Sequence, residues 1–482
     1  MQRAFLAALV AGSYGLYAGA LPWTTLPLLV LAALAVLSDY HLAFAWPRSS
    51  RLLDLACVMA LAAIALQLIP LPRPVVDLLS PHADLVRSTI MLTPFVGERS
   101  ILVPLTLDWM RTLNALGTLA IAVLAFWAAR AVFSAGGGAR RYCRLLALFG
   151  ALVAVIAAVQ RAVDPSLLLG SIRVEGDASP FGAFVNRNHF AGWLLMAVSA
   201  SMGYLVAHFR IHVAGQRGWR RYIREVLNSG GLLTGACVFV MVAVLLLTLS
   251  RSAVAGAGAA SLAAWLMARR RLDFEQRGAL LLVALAGVVL IVVAGSIDLD
   301  GWAERFERTF TEASRPDNRL IIWRETLPMI RDFWLTGVGA GAYGIAILLY
   351  QQSRIWIPHL GGWSYFNQAH SHYLQIAAEG GLLLLVPAAA GLAALVIQGR
   401  RALEADRGEM FWVRVGAAAG LVGIAVQSAW DTPLVMPANA VLCATLMAAL
   451  LHQRTSQVRS GSREDPGVDQ PDSWAENQDA IE

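Results

Sequence analysis

Four short stretches of this chain carry residue types able to bind phosphate or to move a proton. They are Asn186-Arg187-Asn188-His189, Ser250-Arg251-Ser252, Arg315 with Arg319, and His370-Ser371-His372 followed by Glu379. A guanidinium offers a planar fork of donors that fits phosphate and pyrophosphate. Histidine is the side chain best placed to take a proton near neutral pH. Several arginines grouped with a histidine therefore point to a phosphorylated substrate and proton abstraction. Each stretch alone also has a structural reading. Arg251 is then a snorkelling residue at a helix end, and Arg315 and Arg319 pair with Asp317 or Glu312 on a solvated face. His370 and His372 are then interfacial caps, and Arg187 by itself is equally open.

Other motifs weigh less. His370-x-His372 has the spacing of two metal ligands, but no third ligand stands at a matching spacing, so no metal site is expected. Asp298-x-Asp300 has the form used by metal-dependent sugar-nucleotide transferases. Gly337, Gly339, Gly341 and Gly344 superficially resemble a dinucleotide fingerprint, but no strand precedes them. A sharp turn and a close backbone approach explain them better. In Glu379-Gly380-Gly381 the glycines are expected to let helices pack closely. Cys57, Cys143, Cys237 and Cys443 have no CxxC spacing, which supports neither a disulfide framework nor a zinc site.

The elements that must position these residues are membrane helices. Of 482 residues 57% are hydrophobic and only 15% charged, where a soluble protein carries roughly 25% charge. Apolar runs of spanning length lie at 4–20, 22–38, 52–71, 112–133, 145–163, 188–208, 230–249, 252–268, 279–297, 371–398, 413–430 and 433–452. The chain reads as an all-α polytopic bundle of about twelve spans. Ala18-Gly19-Ala20 resembles a cleavage site, but a second span follows at once, and an uncleaved first helix is the better reading.

The net charge of +6 does not indicate nucleic-acid binding, because the arginines cluster in short loops between spans. Arg48, Arg51, Arg140, Arg141, Arg144, Arg210, Arg217, Arg220, Arg221, Arg224, Arg269, Arg270, Arg271, Arg400 and Arg401 mark the cytoplasmic loops. Both termini then come out cytoplasmic, and the four chemical stretches face outward. The loop 298–370, between the ninth and tenth spans, is expected to be partly helical. Trp302, Phe306 and Phe310 suggest an interfacial amphipathic helix. A second helix is expected from the N-cap Asp317 to about Trp334, with Arg319 and Trp323 one turn apart. Five prolines break up any helix within 72–111. The acidic tail, 453–482, reads as disordered.

In chain order, Ser250-Arg251-Ser252, Arg319 with Trp323, Gly337-x-Gly339, His370 with Tyr373-Leu374-Gln375, and Glu379-Gly380 resemble the O-antigen ligase family. That family includes O-antigen ligases, pilin oligosaccharyltransferases and polysaccharide polymerases. The resemblance covers roughly 180–385, and its ordered set of motifs marks the family, not the member. It implies a glycan-transferase domain over 1–452 in a bacterial inner membrane. The implied reaction is metal-independent, cofactor-free and inverting. It moves a glycan from an undecaprenyl-pyrophosphate donor to an acceptor hydroxyl, of lipid A–core or of another glycan, on the periplasmic side. The family's functional arginines and histidine map onto Arg251, Arg319 and His370. Arg187 and His189, within FVNRNHFAG, look characteristic of a subgroup. Arg315, Trp323, His372 and Glu379 are possible supporting residues. Where members often have an acidic or small residue, His372 stands, which leaves open which histidine is the base.

The nearest alternative is a repeat-unit polymerase of the same family. A remoter one is a polysaccharide or lipid transporter, which predicts ionisable residues deep in several spans and broken helices around a central site.

Overall fold

Inside a lipid phase a backbone must satisfy its N–H and C=O groups internally, so long apolar runs fold as helices. The computed structural model describes residues 1–43, 50–90, 101–134, 137–174, 179–213, 230–272, 318–353, 356–357, 362–363 and 365–452. Its α-helices are α1 Gln2–Gly15, α2 Thr25–Leu37, α3 Tyr40–Ala43, α4 Arg51–Leu68, α5 Arg73–Leu79, α6 Ala83–Ile90, α7 Trp109–Ser134, α8 Gly138–Val163 and α9 Arg187–Val213. There follow α10 Gly231–Leu247, α11 Arg251–Ala268, α12 Asn318–Asp332, α13 Tyr343–Tyr350, α14 His372–Ala405, α15 Met410–Gln427 and α16 Pro437–Leu451. The only β-structure among the described residues is three two-stranded antiparallel ribbons and isolated bridges.

The molecule is an all-α membrane protein. Among the described residues α4, α7, α8, α9, α14 and α15 are long and apolar enough to cross a membrane, and α2, α10 and α16 are shorter apolar helices. Helices α1 and α11 stand where spans are expected without matching the length and apolarity of those six. The expected span 279–297, the expected helix over Trp302–Phe310, Asp298, Asp300, Arg315 and the tail 453–482 lie outside the described residues.

Helices α9 and α15 form the centre, each with 72% of its membrane window buried, against 22% for α14. Their backbones touch. A Cβ on Gly416 would lie 2.7 Å from the Gly203 Cα, so only glycine permits this crossing. Helix α11 crosses α15 in the same way, with Gly256 against the Gly423 carbonyl. Gly192, near the start of α9, faces Gln427 at the end of α15. The N-termini of α9 and α11 and the C-terminus of α15 therefore share one end of the bundle.

Two features stand out within the helices. Asp54 and Arg130 form a fully enclosed pair at 2.8 Å, with Trp127 Nε1 and Ser50 Oγ also donating to the carboxylate at 2.9 Å each. The tenth expected span is also not continuous, because α14 breaks at Gly381, with φ 51° and ψ −155°. The expectation that Glu379-Gly380-Gly381 serves helix packing is corrected accordingly. The break exists because the glycine-rich turn after α12 docks into it. Val338 and Gly339 N–H donate to the Ala378 and Glu379 carbonyls at 3.0 Å each, and Leu382 and Leu383 N–H donate to the Trp334 and Leu335 carbonyls. A Cβ on Gly337 would lie 2.2 Å from the Glu379 carbonyl group. Four backbone groups at the break, the Ala378 and Glu379 carbonyls and the Leu382 and Leu383 N–H groups, thus find partners in the turn.

Candidate functional site

The candidate residues share a local cause: they open helices. Asn186 precedes α9, and its Oδ1 accepts the Asn188 N–H at 2.8 Å. Ser250 caps α11 through the Ala253 N–H. Arg187 and Arg251 are the first residues of those helices, His372 is the first of α14, and Arg319 is the second of α12. Helix N-termini carry partial positive charge from their unpaired N–H groups. Arginines placed there reinforce that field and favour an anion. Arg251 is exposed, and Arg187 and Arg319 are half-buried.

His370 immediately precedes the Ser371 cap of α14 and has a left-handed backbone, with φ 49°. A non-glycine residue holds that conformation only when its neighbours over-determine it. Ala369 supplies the restraint. Its carbonyl accepts Trp323 Nε1–H at 3.0 Å, and its N–H donates to Gln375 Oε1 at 2.7 Å. Trp323 lies one turn beyond Arg319 on α12, so one tryptophan ties the Arg319 helix to the His370 loop. Gln375 also donates to Glu379, whose carboxylate faces the backbone N–H groups of Gly341 and Tyr343. Glu379 thus belongs to the glycine turn, at one remove from His370.

Opposite this loop stands a residue that motif reading missed. Asp431, between α15 and α16, is fully buried and accepts from His189 Nε2 at 3.2 Å and from the Thr432 N–H at 2.8 Å. Burial works against charge on this carboxyl. The His189 hydrogen bond, the attraction of that ring, the Thr432 N–H and the nearby charge of His370 outweigh it, and the carboxyl is held down at about 2. The His372 N–H donates to the Ser428 and Asp431 carbonyls, and Thr432 Oγ1 donates to Gln368 Oε1 at 2.7 Å. Asn439 Nδ2 holds the His189 carbonyl, and Gln427 Nε2 holds that of Asn188. The signal was present in the sequence as an acidic residue between two apolar runs near membrane level. It carried no motif.

The structure brings His189, His370, His372 and Asp431 to one end of the bundle, with Arg187 and Arg251 opening helices there and Arg319 joined through Trp323. Among the described residues no group of three or more His, Cys, Asp or Glu side chains is arranged to hold a metal ion.

No curated protein matches this chain. A family model described as O-antigen ligase matches residues 236–389, from within α10 to within α14. The matched segment contains Arg251, Arg319, Trp323, His370, His372 and Glu379, and leaves Arg187, His189 and Asp431 outside it. Over that segment the chain is similar to the O-antigen ligase family.

Proposed function

We propose that the protein transfers a glycan from an undecaprenyl-pyrophosphate donor to an acceptor hydroxyl, of lipid A–core or of another glycan, at the periplasmic face of the inner membrane. The observation that supports this reading is that Arg187 and Arg251 open helices at the end of the bundle that holds His370, while the Arg319 helix is tied to the His370 loop through Trp323. Such an arrangement suits a doubly charged leaving group beside a proton acceptor. Arg251 and Arg319, with Arg187, bind the pyrophosphate and stabilise the charge it gains. His370 takes the acceptor's hydroxyl proton while the oxygen attacks the anomeric carbon. The bond from that carbon to the phosphate oxygen breaks, its electron pair leaves on the pyrophosphate, and the configuration inverts. Guanidinium groups carry the neutralisation that divalent ions provide in other transferases, and His372 and Trp323 support the loop. The prenyl chain lies among apolar helices. The proposal includes about twelve spans over 1–452, cytoplasmic termini, a periplasmic loop at 298–370 and a disordered tail at 453–482.

The test is reconstitution in liposomes with a lipid-pyrophosphate glycan and an acceptor. A new glycosidic linkage formed without any ion gradient is expected. Gradient-dependent movement of the glycan with no new linkage overturns the reading in favour of a transporter. The break in α14 is the feature a transporter shares, but the glycine turn docks into it and pairs with the Ala378 and Glu379 carbonyls and the Leu382 and Leu383 N–H groups. Repeat-unit polymerisation uses the same chemistry with a glycan acceptor. Loss of a ligase accumulates long lipid-linked polymer, whereas loss of a polymerase leaves single repeat units.

A further inference from the structure

The residue before His370 is held through a line of hydrogen bonds that starts on distant helices. Gln67 on α4 donates to the Thr336 and Glu379 carbonyls at 2.7 and 2.9 Å and accepts the Ala340 N–H at 3.0 Å. Thr112 on α7 donates to the Ala340 carbonyl at 2.8 Å. The glycine turn is thereby clamped to two helices. From the turn, the Gly341 and Tyr343 N–H groups donate to the Glu379 carboxylate, which also takes Gln375 Nε2. Gln375 and Glu379 are four residues apart on α14, so they share one face. Gln375 is buried, and its Oε1 takes the Ala369 N–H at 2.7 Å.

This line has a donor at each end, because a backbone N–H can only donate. Two side chains stand between the ends, so one has to be a carboxylate and the other an amide. Two amides would set two donors against each other somewhere along the line, and two carboxylates would set like charges together. The order of the pair does not enter this count. A carboxylate at 375 and an amide at 379 would satisfy the same two ends. His370 is where such a restraint matters, since its φ of 49° is held only by its surroundings.

We propose that Gln375 and Glu379 are positioning residues for His370, a matched amide–carboxylate strut that holds the Ala369 N–H at a fixed place relative to the clamped glycine turn. The inference deepens the transfer reading above and rests on His370 as its base. Neither side chain touches the reacting atoms. Trp323 holds the Ala369 carbonyl from the α12 side, and the strut holds the N–H of the same residue from the α14 side. Held at both its polar groups, Ala369 fixes where the His370 backbone begins, and a base displaced by a fraction of an ångström loses rate rather than substrate affinity.

The experiment exchanges the two residues. Transfer by the full chain is measured in liposomes with a lipid-pyrophosphate glycan and an acceptor, per folded molecule, for Gln375→Glu, Glu379→Gln and the double variant carrying both. Each single change should lower kcat about tenfold with KM for the donor unchanged. The double variant rebuilds the donor–acceptor count and should return to within about threefold of wild type. Losses that add in the double variant overturn the inference, as do single variants that turn over normally. Gln375→Met covers the case in which a single variant does not fold. It cuts the strut without placing like groups together, and it should show the same kcat loss at unchanged KM. A Gln375→Met protein that melts earlier but keeps wild-type kcat per folded molecule would make the strut structural only and overturn its role. The two readings fail separately. An active His370→Ala sinks the base on which both rest, whereas an inactive one beside a fully active Gln375→Met sinks only the strut.

Discussion

The two ends of the bundle treat charge in opposite ways. At the end where α9 and α14 finish and α15 begins, charges are spent on structure. Arg414 bonds Asp406 at 2.9 Å and the Leu450 and His452 carbonyls. Arg271 lies over the Phe411 ring and reaches the Leu403 carbonyl, and Arg210 lies over Trp412. Arg130 is locked to Asp54 by both carboxylate oxygens, although its Nε is enclosed without a partner. At the other end, Arg251 opens a helix on the surface, and His189 Nδ1, His372 Nδ1 and Asp431 Oδ2 are enclosed with hydrogen-bonding capacity unused. Saturated polar groups hold a fold together. Groups kept under-satisfied have capacity left for a substrate or a proton.

Breaking the comparison at the reactive end should give the largest effect. His370→Ala should reduce transfer on the order of 10²- to 10⁴-fold in the liposome assay, with the melting profile unchanged. Retention of wild-type transfer would remove the proposed base. At the structural end, Asp54→Ala strands Arg130 in the interior and should cost about 3–5 kcal/mol of stability. Thermal unfolding in detergent reads that loss, and the surviving folded protein should turn over normally. A pure activity loss there would blur the distinction between the ends.

Arg251→Ala should lower kcat/KM on the order of 10²-fold and weaken donor binding. An unchanged affinity for the lipid-linked donor would argue for mere snorkelling. Asp431 sharpens the contrast through pH. Its carboxyl is held below the ordinary carboxylate value, so its ionised form stabilises the fold above about pH 4. That contribution, about 2 kcal/mol, fades as pH falls through about 2. Wild type and Asp431→Asn should therefore differ in stability near neutrality and converge in acid. A gap that persists at pH 2 would assign the loss to packing. The smallest effect is expected for Trp323→Phe, which leaves the Ala369 carbonyl without its side-chain donor. About 1 kcal/mol should appear as a several-fold drop in rate, with little change in melting if the bond serves His370 rather than the core.

Much of this architecture is legible one residue at a time. The expected helix from Asp317 to about Trp334 appears as Asn318–Asp332 among the described residues, Asp317 itself lying outside them, because helix propensity is a local property. The glycines at 337, 339 and 341 take positive φ, as a sharp turn requires. The helical interruptions within 72–111 appear as the short α5 and α6. What local pattern could not convey is partnership. Nothing near Asp431 in the sequence names His189, which is 242 positions away. The Arg130–Asp54 pair was invisible for the same reason, and the break at Gly381 exists only because a turn some forty residues earlier docks into it.

The sequence by itself determined that this is a helical membrane protein, since apolar length and backbone satisfaction admit one solution. It also determined which residue types stand at helix starts. Only the tertiary structure decided that a tryptophan on one helix would pin the loop of His370. It alone decided that a buried carboxylate would meet His189, and that the Glu379 carboxylate would face the glycine turn and Gln375. Helix formation is settled within a few residues, whereas the burial and pairing of a charge depend on which distant segments pack around it.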